Sequence, residues 1–133
     1  MRVTELMTTD VISINDEATL ADAAGVLADT HVSGIAVLDR HHRLVGAIST
    51  TDILAVQAEM ENDEARALAM RETLVRDAMS DHPLSIGPEA SIREAALEME
   101  YADVHRLFVV MDGKLVGVIS RSDVSRGHAL GKL

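Results

Sequence analysis

The sequence has no cysteine and no tryptophan, and only one tyrosine, one phenylalanine and two prolines in 133 residues. Without cysteine there is no disulfide framework, no zinc-thiolate or iron-sulfur site and no thiol nucleophile, so any metal would have to be held by histidine or carboxylate. Tyr101 and Phe108 are too few rings for a base-stacking platform. Positive charge is also scarce: 12 Lys and Arg stand against 22 Asp and Glu, a formal net charge of −10 that repels polyanions. Nucleic acid is therefore not an expected partner. No apolar run approaches the roughly 18 to 20 residues of a membrane span, and the start Met1-Arg2-Val3-Thr4-Glu5-Leu6 has no apolar stretch behind its Arg. A soluble, cytoplasmic chain is expected. Its hydrophobic content of 47% suffices for one small domain or two lobes sharing a core, and argues against disorder.

What the sequence does contain is a repeat. A shift of 72 residues places Val3 on Val75, Met7 on Met79, Ser13-Ile14 on Ser85-Ile86, Glu17-Ala18 on Glu89-Ala90 and Ala23-Ala24 on Ala95-Ala96. Val32 falls on Val104 and Val37 on Val109; one residue then drops out between the polar turns Asp39–Arg43 and Asp112–Lys114, and Leu44-Val45-Gly46 meets Leu115-Val116-Gly117. Each copy opens with a short strand such as Val11–Ile14. A helix follows with the stripe Leu20, Ala23, Ala24, Leu27, or Ile92, Ala95, Ala96, Met99. Thr19 with Asp22, and Ser91 with Glu94 as a full capping box, mark the helix starts. The runs Ile35–Leu38 and Leu107–Met111 then pair through polar turns with Leu44–Ile48 and Leu115–Ile119 as hairpins, and second helices start near Ser49 and Ser120. The expected fold is α+β, strand-helix-strand-strand-helix twice over. One unit of about fifty residues buries too little surface alone, so the two are expected to pack together. Residues 57–73 lack Gly and Pro and read as a helical linker. The expected division is 1–56, a linker at 57–74, and 75–133.

Each hairpin runs into a phrase of the form Gly-x-x-Ser-x-x-Asp: Gly46 to Asp52 and Gly117 to Asp123. Two explanations fit it. Gly admits a ligand close to backbone, Ser and the free amides of a helix start suit phosphate, and a carboxylate accepts ribose hydroxyls. Equally, Ser followed three residues later by Asp caps a helix without any ligand.

These residues resemble a pair of cystathionine-β-synthase (CBS) domains, often called a Bateman module. The resemblance runs from Val3 to about Val124 and includes Leu6-Met7, Ala78-Met79, Val32–Asp39 and Leu44–Asp52. It implies two repeats related by a pseudo-twofold axis, with two clefts that take adenosine-containing ligands. It further implies Asp52 and Asp123 on ribose hydroxyls, Ser49 and Ser120 near ribose or phosphate, with Thr51 in the same phrase, and Val11 and Pro83 lining the base pocket. His105 and Arg106 match a position from which some members direct cations at phosphate, and Arg121 lies inside the second phrase. Ser33, Gly34 and Thr50 are the neutral counterparts, so phosphate-bearing ligands should prefer the second cleft. Many members have Pro where this chain has Ala36 and Phe108; Phe108 would either flank an adenine ring or fill the cleft. The family implies no required cofactor, with AMP, ADP, ATP or S-adenosylmethionine as regulatory ligand, a homodimer, and a protein target reached in trans. The alternative is a dimerisation module with empty clefts.

Other groups carry less. His41-His42 could suggest a metal, but adjacent turn residues rarely converge on one ion. Met60, Met70, Met99 and Met111 read as core or interface filler. No carboxylate is paired by sequence with a base or nucleophile, so an enzyme is not expected. The cationic end Ser125–Leu133 either folds toward a bound phosphate or frays.

Overall fold

The striped runs become helices and the hairpin runs strands where those periods predict them, while the first strand is Ser13–Asn15 rather than Val11–Ile14. A computed structural model describes residues 1–32 and 34–131. Along the chain lie α1 (Val3–Leu6), β1 (Ser13–Asn15), α2 (Leu20–Thr30), β2 (Gly34–Leu38), β3 (Leu44–Ser49), α3 (Thr50–Ala58) and α4 (Asp63–Glu72). Then come α5 (Val75–Ala78), β4 (Ser80–Asp81), β5 (Ser85–Ile86), α6 (Ile92–Ala102), β6 (Arg106–Met111), β7 (Lys114–Ser120) and α7 (Arg121–Ala129).

The chain divides into two compact units, one of Ile12–Pro83 and one of Met1–Val11 with the residues from Leu84 onward. We call them the Asp52 unit and the Asp123 unit. In the Asp52 unit the sheet order is β1-β2-β3-β4, with β1 parallel to β2 and the β2–β3 and β3–β4 pairs antiparallel. The Asp123 unit repeats this as β5-β6-β7, and Thr8 supplies a fourth row by exchanging two 2.9 Å backbone hydrogen bonds with Val118. Each helix stripe lands on its sheet: Leu20, Ala23 and Leu27 join Ile35, Val37 and Ile48, and Ile92, Ala95 and Met99 join Leu107, Val109 and Ile119. A fully buried side chain of this size contributes about 1.5–3 kcal/mol.

Two short helices absent from the sequence reading decide the division. Val3 and Leu6 of α1 are buried in the core of the Asp123 unit, and Val75 of α5 in that of the Asp52 unit. The sequence repeat and the compact unit are thus different divisions of one chain. Within residues 57–74, expected to be helical throughout, the helix breaks after Ala58, Asn62 restarts it as the cap of α4 by accepting the Ala65 amide at 2.8 Å, and Thr73 and Leu74 are extended, Leu74 bridging to Thr19. Capping also differs in detail from expectation. Thr19 and Asp22 bond reciprocally, whereas Ser91 accepts the Glu94 amide at 3.0 Å without a return bond among the described residues.

Candidate functional site

The Gly-x-x-Ser-x-x-Asp phrases form the joints where β3 enters α3 and β7 enters α7. An extended backbone at Ser49 leaves the first amides of α3 unpartnered, and the side chains close on them. Ser49 Oγ accepts the Asp52 amide at 3.2 Å, while the Ser49 amide and hydroxyl donate to Asp52 Oδ2 at 2.9 and 3.1 Å. At the other joint the Ser120 amide and hydroxyl donate to Asp123 Oδ2 at 2.8 and 3.0 Å, and Ser120 Oγ accepts the Asp123 amide at 3.2 Å. One oxygen of each aspartate is therefore committed to holding the joint.

The glycines serve the same joint, which corrects the expectation that they admit a ligand. A Cβ on Gly46 would lie 2.4 Å from Met79 Sδ and 2.8 Å from the Ser80 carbonyl oxygen. On Gly117 it would lie 2.7 Å from Met7 Sδ and 2.9 Å from the Thr8 oxygen. The close approach is that of methionine and backbone from a segment distant in sequence. Met7 and Met79 matched in the repeat, but nothing in their spacing tied them to these glycines.

The second oxygens differ. Asp52 Oδ1 accepts one long hydrogen bond, 3.4 Å, from the hydroxyl of exposed Ser80. Asp123 Oδ1 forms an ion pair with Arg126 Nη2 at 3.1 Å, Nη2 donates its hydrogen bond to the Leu6 carbonyl at 3.1 Å, and Asp123 is only 6% exposed. Arg121, expected to face phosphate, instead braces the end of α6: Nε donates to the Val104 carbonyl at 3.0 Å and Nη2 to that of Met99 at 3.4 Å. The left-handed turn at Asp103 ends that helix, and the Met99 carbonyl, which already accepts the Val104 amide at 3.0 Å, takes the guanidinium as a further donor.

His105, Arg106, Ser120, Arg121 and Asp123 do gather at one end of the β6–β7 hairpin: Arg106 lies opposite Ser120, and the His105 carbonyl accepts the Arg121 amide at 2.9 Å. The side chains of His105 and Arg106 are exposed, and Arg106 has no ion pair among the described residues. In the Asp52 unit Gly34 lies opposite Ser49, and Thr50 and Thr51 are exposed on the first turn of α3. Ala36 is buried between Ser13 and Ala47; Phe108 is half-buried between Ser85 and Val118. Val11 and Pro83 are half-buried just before Ile12 and Leu84, whose carbonyls accept the amides of Ala36 and Phe108 at 3.3 and 3.2 Å. Ser33, Lys132 and Leu133 lie outside the described residues. The segment from Ser125 is helical as far as Ala129.

Among the described residues no three His, Asp or Glu side chains converge as metal ligands. The His41-His42 turn is instead organised by Asp39, whose Oδ1 accepts the His41 and Arg43 amides at 2.7 and 3.0 Å. The Arg43 amide, followed by that of His41 and the charges of both residues, holds the Asp39 carboxyl below its ordinary pKa.

A CBS domain model matches residues 3–59 and again 75–128. The chain belongs to the CBS domain family. It carries the domain as a tandem pair, and solved CBS proteins share its fold. The structure of CBSX2 in complex with AMP, a CBS-pair protein of Arabidopsis thaliana, is 28% identical with a TM-score of 0.81, covering 99% of this chain and 98% of that one. A CBS domain-containing protein of Bacillus anthracis is 26% identical with a TM-score of 0.81, covering 100% of this chain and 95% of that one. Among curated relatives, inosine-5'-monophosphate dehydrogenase of Methanocaldococcus jannaschii is 29% identical over 90% of this chain. The chain spans 22% of that enzyme's length, and 23% of a homoserine O-acetyltransferase from Methanohalobium evestigatum. Among the described residues no helix is long and apolar enough to cross a membrane.

Proposed function

We propose that this CBS pair is a regulatory module of the cytoplasm that binds an adenosine-containing ligand and passes its occupancy by contact to a protein target in trans, catalysing nothing itself. The observation that carries this reading is the likeness to CBSX2, a protein whose structure holds AMP, over nearly the full length of both chains. The joints supply suitable chemistry. Asp52 and Asp123 carry carboxylates suited to ribose hydroxyls beside Ser49, Thr51 and Ser120, and the exposed side chains of His105 and Arg106 offer donors suited to phosphate. Val11, Pro83 and Phe108 are half-buried and offer apolar surface for the base, whereas Ala36, expected to join them, is buried within its sheet and offers none. AMP, ADP, ATP and S-adenosylmethionine are the ligands to screen, and none is a required cofactor.

A ligand bound only by the folded chain adds roughly 2.7 kcal/mol at about 100 times its Kd, so a rise in melting temperature with at least one of these compounds is expected. Absence of any shift or calorimetric heat at millimolar concentration favours the second reading, a dimerisation module without nucleotide. Two observations support that alternative: the capping boxes account for Ser and Asp with no ligand, and Leu54, Leu97 and Tyr101 are exposed on helices. Both readings include a homodimer, which a monomeric mass by light scattering at tens of micromolar would overturn.

A further inference from the structure

We infer that Arg126 latches the Asp123 joint, so that the chain binds one adenosine-type ligand, at the Asp52 joint. This rests on the proposed role of the aspartates toward ribose, and it reverses the expected preference for the second site. The capping box takes Oδ2 at both joints, so a diol must be met chiefly by Oδ1. At Asp52 that oxygen has one 3.4 Å partner, the Ser80 hydroxyl, a rotor that can turn to donate or accept toward an incoming hydroxyl. At Asp123 the same oxygen is paired with the Arg126 guanidinium at 3.1 Å, and a charge facing a carboxylate that is only 6% exposed is harder to displace than a neutral hydroxyl.

Arg126 is itself fixed by the Leu6 carbonyl, so the latch ties α7 to α1, and the carboxylate beneath it is nearly closed to solvent. The matching position on α3 is Ala55, which carries no charge. Arg121, the other arginine of α7 near this joint, is engaged with the carbonyls of Val104 and Met99. A ligand at Asp123 would first have to displace Arg126 from both of its partners, whereas one at Asp52 displaces a hydroxyl.

Titration of the full chain with AMP by calorimetry tests this. One AMP per chain is expected, with Asp52→Asn weakening binding tenfold or more. Arg126→Ala should add a second binding event, and the double variant Arg126→Ala/Asp123→Asn should lose it again. Arg126→Gln, which keeps the first methylenes but removes the charge and the reach of the guanidinium, gives the same comparison should the alanine variant fold poorly. Two equivalent sites in the unmodified chain overturn the latch, as does a single site that survives Asp52→Asn, or a stoichiometry unmoved by either Arg126 variant. In each of those results AMP still binds, so they are distinct from the failure of nucleotide binding itself, which overturns the functional reading and the latch together.

Discussion

The two units carry the same phrase and use it for the same mechanical purpose, yet they differ in almost everything polar around it. Gly46 and Gly117 each lie under a methionine from a distant segment, and Ser49 and Ser120 each close a reciprocal cap with an aspartate. Beyond that, Asp52 meets a hydroxyl and Asp123 a guanidinium. The cavity beside α3 is lined by Ile53, Leu54 and Met70, the last from α4, while the cavity beside α7 is lined by Val124 and Ser125 with the ionisable Glu100, Arg121 and His128. The joint tolerates little change where a methyl on Gly46 or Gly117 would meet methionine and backbone and where the Ser–Asp pair closes the cap. The side chains facing outward are free to diverge, so two matching motifs need not be two matching sites.

The strongest way to break the comparison is through the glycines. At Gly46 an added methyl would meet a flexible thioether at 2.4 Å, which can swing aside, and a backbone oxygen at 2.8 Å, which cannot move without β4. Gly46→Ala is expected to destabilise by about 1–3 kcal/mol, in the range of overpacked cores, with Gly117→Ala toward the lower end because its contacts are slightly longer. Urea denaturation of both variants measures this. An unchanged midpoint for Gly46→Ala would mean that the segment from Met79 does not constrain the joint.

Arg121 allows a sharper and smaller test, since its counterpart Thr50 has no guanidinium to bring to the equivalent end of α2, which also stops at a left-handed turn, at His31. The guanidinium is about half exposed, so its bonds to the Val104 and Met99 carbonyls are screened, and Arg121→Ala is expected to cost about 1 kcal/mol. Thr50→Ala should stay within about 0.5 kcal/mol, as surface changes do. Faster amide exchange confined to the last turn of α6 in Arg121→Ala would identify the brace. Equal exchange in both variants would dismiss it.

Why some of this was legible in the sequence and some was not follows from range. The stripes Leu20-Ala23-Leu27 and Ile92-Ala95-Met99, the hairpins and the caps at Ser49 and Ser120 are local patterns, and local chemistry decides them. The exchange of α1 and α5 between repeats depends on apolar residues in single turns, Val3 with Leu6 and Val75 alone, too short to show a period. The fate of each arginine was the least legible part. A cation beside a phosphate-like motif and a cation bracing a helix end have the same sequence, and only the positions of the Val104, Met99 and Leu6 carbonyls separate them.

The smallest expected effect contrasts the two hairpin turns. In the Asp123 unit Asp112 and Gly113 both take positive φ, 54° and 80°, as a two-residue turn whose backbone alone suits the strand twist. The Asp52 unit has the longer turn from Asp39 to Arg43, with His42 at φ 62°, and it relies on the Asp39 carboxylate to bind two amides. Those bonds, that of Arg43 foremost, hold the carboxyl below its ordinary value of 3.8, with desolvation acting against them. A group whose pKa falls on folding contributes stability above its unfolded pKa and loses it as pH drops through the folded value. The melting temperature of the unmodified chain should therefore exceed that of Asp39→Ala at neutral pH by a small margin, and the margin should shrink once pH falls below about 3.8. Because the carboxylate is exposed, salt should narrow the part of that margin due to the charges of His41 and Arg43. A difference that stays constant from neutral pH down to the acid transition would show that the turn is held by its backbone alone, as in the Asp123 unit.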